Sequence, residues 1–409
     1  MNRNICDNNK CMACGACENI CPQKCIVRKK LDTAFLMQKG NECIECGLCE
    51  RVCPVNNYPE DNYPLKAYAS WSLNDKIRKE SASGGIATTI YQYAFKNDIL
   101  AVGAYMDANF ECRLKVARTK ADLKEFQNSK YTYSYPDDIY KEVENEIRNE
   151  RKVIFIGLPC QIGALKNYFK VKKLDTNKLI TIDLICHGTP MPSYLQQHIK
   201  SIEDRNKQEY KACFFRDAKF GTINFAYTLY TSDSQKPSYV KFADQDDLYQ
   251  IGYHKALIYR DCCYSCQYAH TSRVGDLTIG DFHVKDVDEC DIDIEDVSLI
   301  LANTESGKKF LYILQKSKNI YSLERPLNEP IQGERQLREP SVAGKERLKF
   351  VEEYNKNKNF EKSAKIAFSM IWKRRKFGID KSKKFIKLTI KKVLPKKIWS
   401  FLKKRFKKY

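Results

Sequence analysis

Two runs of four cysteines lie near the N-terminus, and their spacing determines what they can bind. The first run is Cys11, Cys14, Cys17 and Cys21, and the second is Cys43, Cys46, Cys49 and Cys53. Both follow C-x2-C-x2-C-x3-C, and a proline comes directly after each. Zinc is the alternative metal, but it takes four ligands and is typically held by separate C-x2-4-C pairs. The spacing therefore indicates two [4Fe–4S] clusters of the bacterial ferredoxin type.

In such motifs the first three cysteines of a run bind one cluster and the fourth binds the other. The first cluster is therefore assigned to the first cysteine set, which is Cys11, Cys14, Cys17 and Cys53. The second cluster is assigned to the second cysteine set, which is Cys43, Cys46, Cys49 and Cys21. Electron transfer is the chemistry that these two clusters would support.

Four further cysteines occupy places that suit a third cluster. Cys160 follows an apolar run at 153–156, and Cys186 follows another at 181–185. Both would lie at carboxyl ends of strands, where open α/β sheets bind ligands. Cys263 and Cys266 form a C-x2-C pair, and Cys262 is an alternative to Cys263 that spacing does not decide. The competing interpretation is that Cys160 and Cys186 are buried as small apolar side chains.

The surrounding sequence predicts how these cysteines are positioned. Strands are expected at 66–71, 99–105, 153–156, 181–185, 277–279 and 297–301, with helices beginning near Gln161 and after Pro192. Such alternation of strands and helices is typical of an α/β domain with parallel strands. Short apolar pairs at 26–27 and 35–36 suggest a hairpin beside the first two clusters.

The predicted fold class combines α+β and α/β parts in four regions. They are a dicluster ferredoxin-type domain at 1–60, an N-terminal and a C-terminal part of a mixed α/β domain at 65–150 and 151–330, and a basic helical tail at 345–409. Residues 362–409 contain 19 Lys or Arg and one acid, out of a net charge of +20 for the chain. Apolar residues recur at helical spacing among these lysines, which favours attachment to an anionic membrane surface. A solvated tail and, less well supported, nucleic-acid binding are the alternatives.

The 18 cysteines, the lack of an apolar N-terminal signal and the lack of a long apolar run together favour a cytoplasmic protein with metal-bound cysteines. The tail adds the option of a peripheral position on the inner face of the membrane. The sequence contains no C-x3-C-x2-C motif of the radical-SAM type. It also lacks a G-x-G-x-x-G dinucleotide fingerprint, so direct use of NAD is not supported.

Several short segments together carry a family resemblance. They are 81–85 (SASGG), 129–131 (SKY), 157–161 (GLPCQ), 183–188 (DLICHG), 215–217 (FRD), 263–266 (CYSC) and 273–282 (RVGDLTIGDF). Over roughly residues 5–325 the chain resembles the family of coenzyme F420 hydrogenase/dehydrogenase beta subunits, in the form with a fused N-terminal 2[4Fe–4S] ferredoxin domain. Leu158, where the family commonly has Thr, and His283, where it commonly has Trp, are departures that put the substrate in doubt.

The resemblance implies a third [4Fe–4S] cluster on Cys160, Cys186, Cys263 and Cys266, and bound FAD. Ser81, Ser83, Gly84 and Gly85 precede a helix and would cradle the FAD pyrophosphate, because helix N-termini attract anions. A serine N-cap is the simpler alternative. Lys130 and Tyr131 are further candidate flavin contacts, with Lys130 and His187 as candidate catalytic residues.

Each of these candidate residues also has a simpler alternative role. Lys130 could be a solvated lysine, and His187 a loop histidine with a structural hydrogen bond. Arg216 and Arg273 could meet an anionic substrate or pair with acids on the surface. Asp276 and Asp281 could orient the cysteine loop or cap strand ends.

The expected function is a flavin-dependent iron–sulfur oxidoreductase. Electrons would pass from a ferredoxin or another redox partner through the clusters to FAD, and then to coenzyme F420 or another small two-electron acceptor. The alternatives are an electron-relay subunit of a larger redox complex and a non-catalytic, membrane-attached iron–sulfur partner protein.

Overall fold

A computed structural model describes residues 3–232, 234–283 and 296–378. The ferredoxin segment consists of two short helices and a hairpin. They are α1 (Ala16–Ile20), β1 (Ile26–Lys30), β2 (Phe35–Lys39) and α2 (Leu48–Val52). Gly15 and Gly47 precede the two helices with φ of +79° and +71°, a conformation that glycine adopts without a steric penalty. The predicted hairpin beside the clusters is confirmed.

One nine-stranded mixed sheet forms the centre of the remaining chain. Its strands are β3 (Lys66–Ser72), β4 (Leu100–Met106), β5 (Cys112–Ala117), β6 (Ser134–Tyr135), β7 (Val153–Gly157), β8 (Leu179–Leu184), β12 (Leu277–Asp281), β13 (Ser298–Ala302) and β14 (Ile320–Arg325). Their order is β14-β3-β13-β12-β8-β7-β4-β5-β6. The pairs β12–β8, β8–β7 and β7–β4 are parallel, and β12–β13 is antiparallel.

Helices connect and cover these strands. They are α3 (Asp75–Glu80), α4 (Ile86–Lys96), α5 (Lys120–Phe126), α6 (Ile139–Arg148), α7 (Pro159–Lys172), α8 (Pro192–Asn206), α9 (Leu248–His254), α10 (Glu305–Lys316) and α11 (Asn328–Gly333). A small antiparallel sheet contains β9 (Ala212–Phe214), β10 (Tyr227–Tyr230) and β11 (Tyr239–Lys241). The ferredoxin segment packs through α1 and α2 against α6 and α7.

The predicted mixed α/β architecture is confirmed, as are the predicted strands at 66–71, 99–105, 153–156, 181–185, 277–279 and 297–301, within one or two residues at their ends. The expected division at residue 150 falls inside one sheet. β3, from the first segment, lies between β13 and β14 from the second, and β4 pairs with β7. The two segments therefore share a single sheet.

Three helices follow near the C-terminal end of the described residues. They are α12 (Glu346–Asn357), α13 (Phe360–Ala367) and α14 (Ser369–Lys376). Phe350, Phe360 and Phe368 are fully buried, and the rings of Phe350 and Phe360 pack against Tyr194 of α8. The first part of the predicted helical tail is thus helical and packed against the α/β domain. The amphipathic repeats predicted beyond residue 378 lie outside the described residues, among which no helix is both long and apolar enough to cross a membrane.

A buried charge network fixes α13 to α8 and α9. His198 is 1% exposed, with Nδ1 2.8 Å from Glu361 Oε2 and Nε2 3.0 Å from Asp247 Oδ2. Asp247 also accepts hydrogen bonds from the Tyr239 hydroxyl and the Gln250 N–H. Burial by itself would lower the pKa of His198, but the two carboxylates outweigh that effect and raise it to about 10. The imidazole is therefore charged and donates from both nitrogens.

The pKa of His198 predicts a pH-dependent stability. A raised folded-state pKa stabilises the fold fully below the ordinary histidine pKa of about 6.5, and this stabilisation is lost as the pH rises to about 10. We expect His198→Gln to cost about 3 kcal/mol at pH 6.5, because a buried carboxylate loses its charged partner. Anaerobic denaturant unfolding at pH 6.5 and 9.5 measures the free energy of unfolding of both proteins. The difference in this free energy between wild type and variant should be smaller at pH 9.5. An equal difference at both pH values would contradict the conclusion that His198 is charged.

Candidate functional site

The second cysteine set meets in one cavity near the surface. Cys21, Cys43, Cys46 and Cys49 all line it, although Cys21 lies at least 22 residues before the others. Cys46 is exposed to solvent, whereas Cys21 and Cys49 are buried. The fold thus brings Cys21, the fourth cysteine of the first run, together with the first three cysteines of the second run. This arrangement fits a [4Fe–4S] cluster with one edge accessible to a redox partner.

The first cysteine set is more deeply placed. Cys11, Cys17 and Cys53 are buried, and Cys14 is half-buried. Backbone N–H groups of Ala13 and Met37 donate to the Cys11 sulfur. Others, from Val55 and Asn56, donate to the Cys53 sulfur. Such N–H···S contacts stabilise thiolates, so the donor set fits a buried cluster.

Two cysteines to which spacing assigns no role lie against these sets. Cys6 lies beside Cys11 and Cys53, and its interaction with them lowers the pKa of both, to about 6 for Cys11. The Cys25 sulfur is 3.5 Å from the Cys21 sulfur. Each N-terminal site therefore has a fifth cysteine in contact with its ligand thiols. Their positions, five residues before Cys11 and four after Cys21, are the only sequence signal that could have indicated this.

The third cysteine set also meets in one cavity. Cys160, Cys186, Cys263 and Cys266 line it together with Cys262. Cys160 lies in the first turn of α7, directly after β7, and Cys186 lies two residues after β8. Their predicted place at the carboxyl ends of neighbouring parallel strands is confirmed. The N-terminus of α7 adds a favourable dipole for a negatively charged ligand group at Cys160.

The local geometry favours Cys263 over Cys262 as a ligand. The Thr189 N–H points at the Cys263 sulfur across 3.5 Å, whereas Cys262 is buried and donates its thiol hydrogen to Cys263. The hydrogen bond from Cys262 and the nearby Arg260 guanidinium lower the pKa of Cys263 to about 5 despite burial. Cys263 is thus the sulfur of this pair whose surroundings favour a ligand role. No three His, Cys, Asp or Glu side chains among the described residues converge on a position for a single metal ion.

A larger cavity adjoins this third site. Its volume is about 460 Å³, within the usual range of about 300–1,000 Å³ for small-molecule sites. It is lined by most of the predicted flavin contacts, namely Ser81, Ser83, Gly85, Lys130 and Tyr131, and by the candidate catalytic residue His187. Five residues form a wall common to both cavities, namely Leu158, Cys186, His187, Gly188 and Thr189. We call this larger cavity the flavin cavity, after the cofactor that its residues were predicted to bind.

The N-terminus of α4 opens into the flavin cavity. Its N-cap is Gly85, and no side chain caps the helix. Ser81 instead donates to Thr88 Oγ1 at 2.9 Å, and Ser83 donates to Asp281. The serine N-cap alternative is therefore wrong, and the first-turn N–H groups of α4 remain without a side-chain cap at the cavity wall. This is the arrangement that binds phosphate oxygens at helix N-termini.

Gly84 is the member of the predicted loop that does not line the cavity. Its N–H donates to Ser298 Oγ at 2.9 Å, and a Cβ added there would lie 2.5 Å from the Ser70 carbonyl oxygen. Gly84 is thus required for close packing of the loop against β3 and β13. Its effect on a bound cofactor would be indirect.

Lys130 and Tyr131 are held from behind the cavity. Lys130 Nζ donates to the carbonyl oxygens of Glu125, Gln127 and Asn128 at 2.8–3.2 Å, so the solvated-lysine alternative does not hold. Burial lowers the pKa of Lys130 to about 8. Tyr131 stacks on Tyr253 with a centroid distance of 4.2 Å and an angle of 12°. These contacts make the wall rigid and aromatic, which suits a planar ring system.

A buried glutamate lies between two histidines at the cavity. The side chain of His187 is 47% exposed, and its Nε2 is 4.0 Å from Glu334 Oε1. His283 Nε2 is 3.9 Å from Glu334 Oε2. Glu334 is 4% exposed and lines the flavin cavity. The sequence did not indicate Glu334, because nothing near it has a recognisable spacing.

The two candidate substrate arginines pair with acids. Arg216 donates from Nη1 to both oxygens of Asp281, at 2.9 and 3.0 Å. Arg273 Nε is 3.0 Å from Asp183 Oδ1 at the end of β8, and both residues are buried. Asp276 accepts from the N–H and hydroxyl of Thr181, so it braces β8. Both arginines therefore pair with acids, as one of the two sequence interpretations expected, but the arginines are buried and not on the surface as that interpretation had it.

One buried arginine that sequence analysis did not single out lies between the first and third sets. Arg260 lines the third cavity, and its Nη1 donates to the Met12 carbonyl oxygen at 2.8 Å. Met12 lies between Cys11 and Cys14 and also lines the third cavity. The two cysteine sets are therefore neighbours, separated by little more than these two residues.

Comparison with known proteins gives three family matches. Residues 150–325 match the family model for the C terminus of the coenzyme F420 hydrogenase/dehydrogenase beta subunit. Residues 67–136 match the model for the N-terminal part of the same protein, and residues 10–58 match a 4Fe-4S dicluster domain. Together these matches account for the ferredoxin segment and most of the nine-stranded sheet.

Two individual proteins are similar to the chain. The F component of the F(420)H(2) dehydrogenase of Methanosarcina mazei is 23% identical over 238 residues, which is 54% of this chain and 67% of that protein. A chain in a xenon-derivatised structure of the F420-reducing [NiFe] hydrogenase complex from Methanosarcina barkeri aligns with a TM-score of 0.43 and 16% identity. That alignment covers 76% of this chain and 91% of the other.

The preference for Cys263 predicts different results for two neighbouring substitutions. We expect Cys263→Ser to lower the iron content by about four atoms per chain, which is the content of one [4Fe–4S] cluster. The matched control Cys262→Ala should keep its iron, because Cys262 only donates a hydrogen bond. Iron and sulfide are measured after anaerobic purification of both variants. Loss of iron from Cys262→Ala alone would reverse the assignment.

Proposed function

The chain belongs to the family of coenzyme F420 hydrogenase/dehydrogenase beta subunits and carries a 4Fe-4S dicluster domain, and from this premise we propose that it is a flavin-dependent iron–sulfur oxidoreductase. It is an iron–sulfur electron-transfer protein of this beta-subunit type. The proposal adds a third [4Fe–4S] cluster, bound FAD and a two-electron acceptor such as coenzyme F420. A ferredoxin or a similar one-electron carrier would be the donor.

The observation that carries the proposal is the sequence of adjoining sites. The second cysteine set reaches the surface at Cys46. The first set is its neighbour, because α1, which carries Cys17, packs against α2, which carries Cys49. Met12 connects the first set to the third cavity. The third cavity in turn shares the wall from Cys186 to Thr189 with the flavin cavity. Four adjoining sites, from solvent to a partly enclosed cavity, support a path for electrons.

The chain would position and tune these groups. Backbone N–H groups donate to sulfurs in all three cysteine sets. The Gly188 N–H, for example, donates to the Cys186 sulfur. The uncapped α4 N-terminus would hold the pyrophosphate, and Tyr131 and Tyr253 would border the ring. When bound, FAD supplies the exchange between single electrons and a two-electron transfer. The chain thus contributes placement and electrostatics.

His187 and Glu334 would supply the proton that accompanies a two-electron reduction. The imidazole is half-exposed at the cavity wall, beside Cys186, and Glu334 is buried behind it. A histidine is the side chain whose ordinary pKa permits proton exchange near neutral pH. His187 is therefore proposed as the catalytic proton donor.

An electron-relay subunit is the second candidate function. The Methanosarcina mazei relative is named as a subunit of a dehydrogenase, and the exposed Cys46 edge is a place where another protein could exchange electrons. In that case a larger partner would carry out the reaction on substrate. A stable complex with such a partner, together with no turnover by the isolated chain, would favour the relay.

Cofactor content is the first test of the proposal. Anaerobically purified protein should contain about twelve irons and a similar amount of sulfide per chain, since three [4Fe–4S] clusters require them. It should also contain about one FAD. Quantitative iron, sulfide and flavin analysis measures all three. About eight irons with no flavin would contradict both the third cluster and the enzyme.

A further inference from the structure

Arg260 is a buried cation. Its side chain is among the largest that are fully buried, with 2% exposure. A guanidinium stays charged at any pH at which a protein is folded. Burying a charge is unfavourable unless an opposite charge compensates it. The structure must therefore offer Arg260 a negative partner.

The hydrogen-bond partners of Arg260 in the described residues are all neutral. Nε donates to Thr189 Oγ1 at 3.1 Å, and Nη1 donates to the Met12 carbonyl oxygen at 2.8 Å. The guanidinium carbon is 4.4 Å from the centroid of the Tyr133 ring. Within residues 3–232, 234–283 and 296–378, no ion pair joins Arg260 to a carboxylate. The neighbouring Asp261 is instead paired with Arg347 at 2.6 Å.

Other buried arginines differ in this respect. Arg273 is paired with Asp183, and Arg216 with Asp281. Both also border the cavities of the site, Arg273 the third cavity and Arg216 the flavin cavity. Of these three buried arginines, Arg260 is thus the one whose positive charge no described carboxylate neutralises.

The position of Arg260 shows what could compensate it. Its guanidinium contacts the loop between Cys11 and Cys14 and lines the same cavity as the third cysteine set. Tyr133, which lies under the guanidinium, donates to the Ala13 carbonyl oxygen in that loop at 2.6 Å. The charge is therefore held between the first and third sets by groups that belong to both sides.

We propose that Arg260 is the shared counter-cation of the first and third clusters and raises the reduction potential of both. This inference rests on the proposed function, because it requires a third cluster. A cluster with four thiolate ligands is an anion, and reduction adds one more negative charge. A fixed positive charge in a dry interior stabilises the reduced form, since Coulomb energies are large at low dielectric. Arg260 is thus a positioning charge that keeps two successive sites reducible by the same donor.

The test is a redox titration of the holoprotein followed by electron paramagnetic resonance. Arg260→Met removes the charge and keeps an unbranched apolar side chain, and Arg260→Lys keeps the charge. We expect Arg260→Met to shift the midpoint potentials of the first and third clusters to more negative values. The second cluster, near Cys46, is the internal control and should not move. Arg260→Lys should remain closer to wild type.

Iron and sulfide are measured before each titration, which separates the two proposals. Wild type with about eight irons would contradict the proposed function. About twelve irons in Arg260→Met with all potentials unchanged would overturn only the role of Arg260. If Arg260→Met cannot keep its clusters, about twelve irons in Arg260→Lys would still support a required charge. Loss of iron in both variants would overturn it, because the shape of the side chain would then be what matters.

Discussion

The parallel pairing of β7 with β8 is the constraint on which the rest of the site depends. Gly157 lies opposite Asp183 in this pair, so the loops after the two strands start side by side. One loop begins α7 with Cys160, and the other carries Cys186 and His187. Because a parallel sheet places such strand ends at one edge, two cysteines 26 residues apart reach one cavity.

A buried ion pair fixes this edge to the rest of the site. Arg273 binds Asp183 at the end of β8, and its backbone pairs with Asn62 in the segment that follows the ferredoxin domain. The chelating pair Cys263 and Cys266 lies just before Arg273 in the chain. The same interaction therefore orients the strand end, the cysteine loop and the connection to the N-terminal clusters. Removing either partner would leave an uncompensated charge in the interior.

Spacing predicted the parts of the site that repeat or alternate. The two cysteine runs, the C-x2-C pair and the strands before Cys160 and Cys186 were all readable, because ligand spacing and strand period leave a local pattern. Arg260 left no such pattern. Its partner Met12 is 248 residues away, so only the folded chain brings them together. The same holds for Glu334, which lies near His187 and His283 because these histidines follow the paired strands β8 and β12.

Charge explains why single residues matter so much here. The cysteine sulfurs of the three sets lie in or near the interior, and N–H donors, a helix N-terminus and one buried guanidinium lie beside them. A sequence indicates how many cations a chain has, but not which cation is buried beside which anion. The strongly basic C-terminal region illustrates this, because its 19 Lys and Arg dominate the net charge, yet their number alone gives no partner for any of them.

The proposed path requires that electrons from the ferredoxin segment reach the flavin cavity through the third cluster. Rapid mixing of the oxidised protein with reduced ferredoxin under anaerobic conditions tests this requirement, with Cys160→Ser compared with wild type. The variant should keep about eight irons and its FAD, and its first two clusters should be reduced at the normal rate. Its flavin absorbance should then stay oxidised, whereas the wild-type flavin is bleached. Flavin reduction at the wild-type rate in Cys160→Ser would contradict a path through the third cluster.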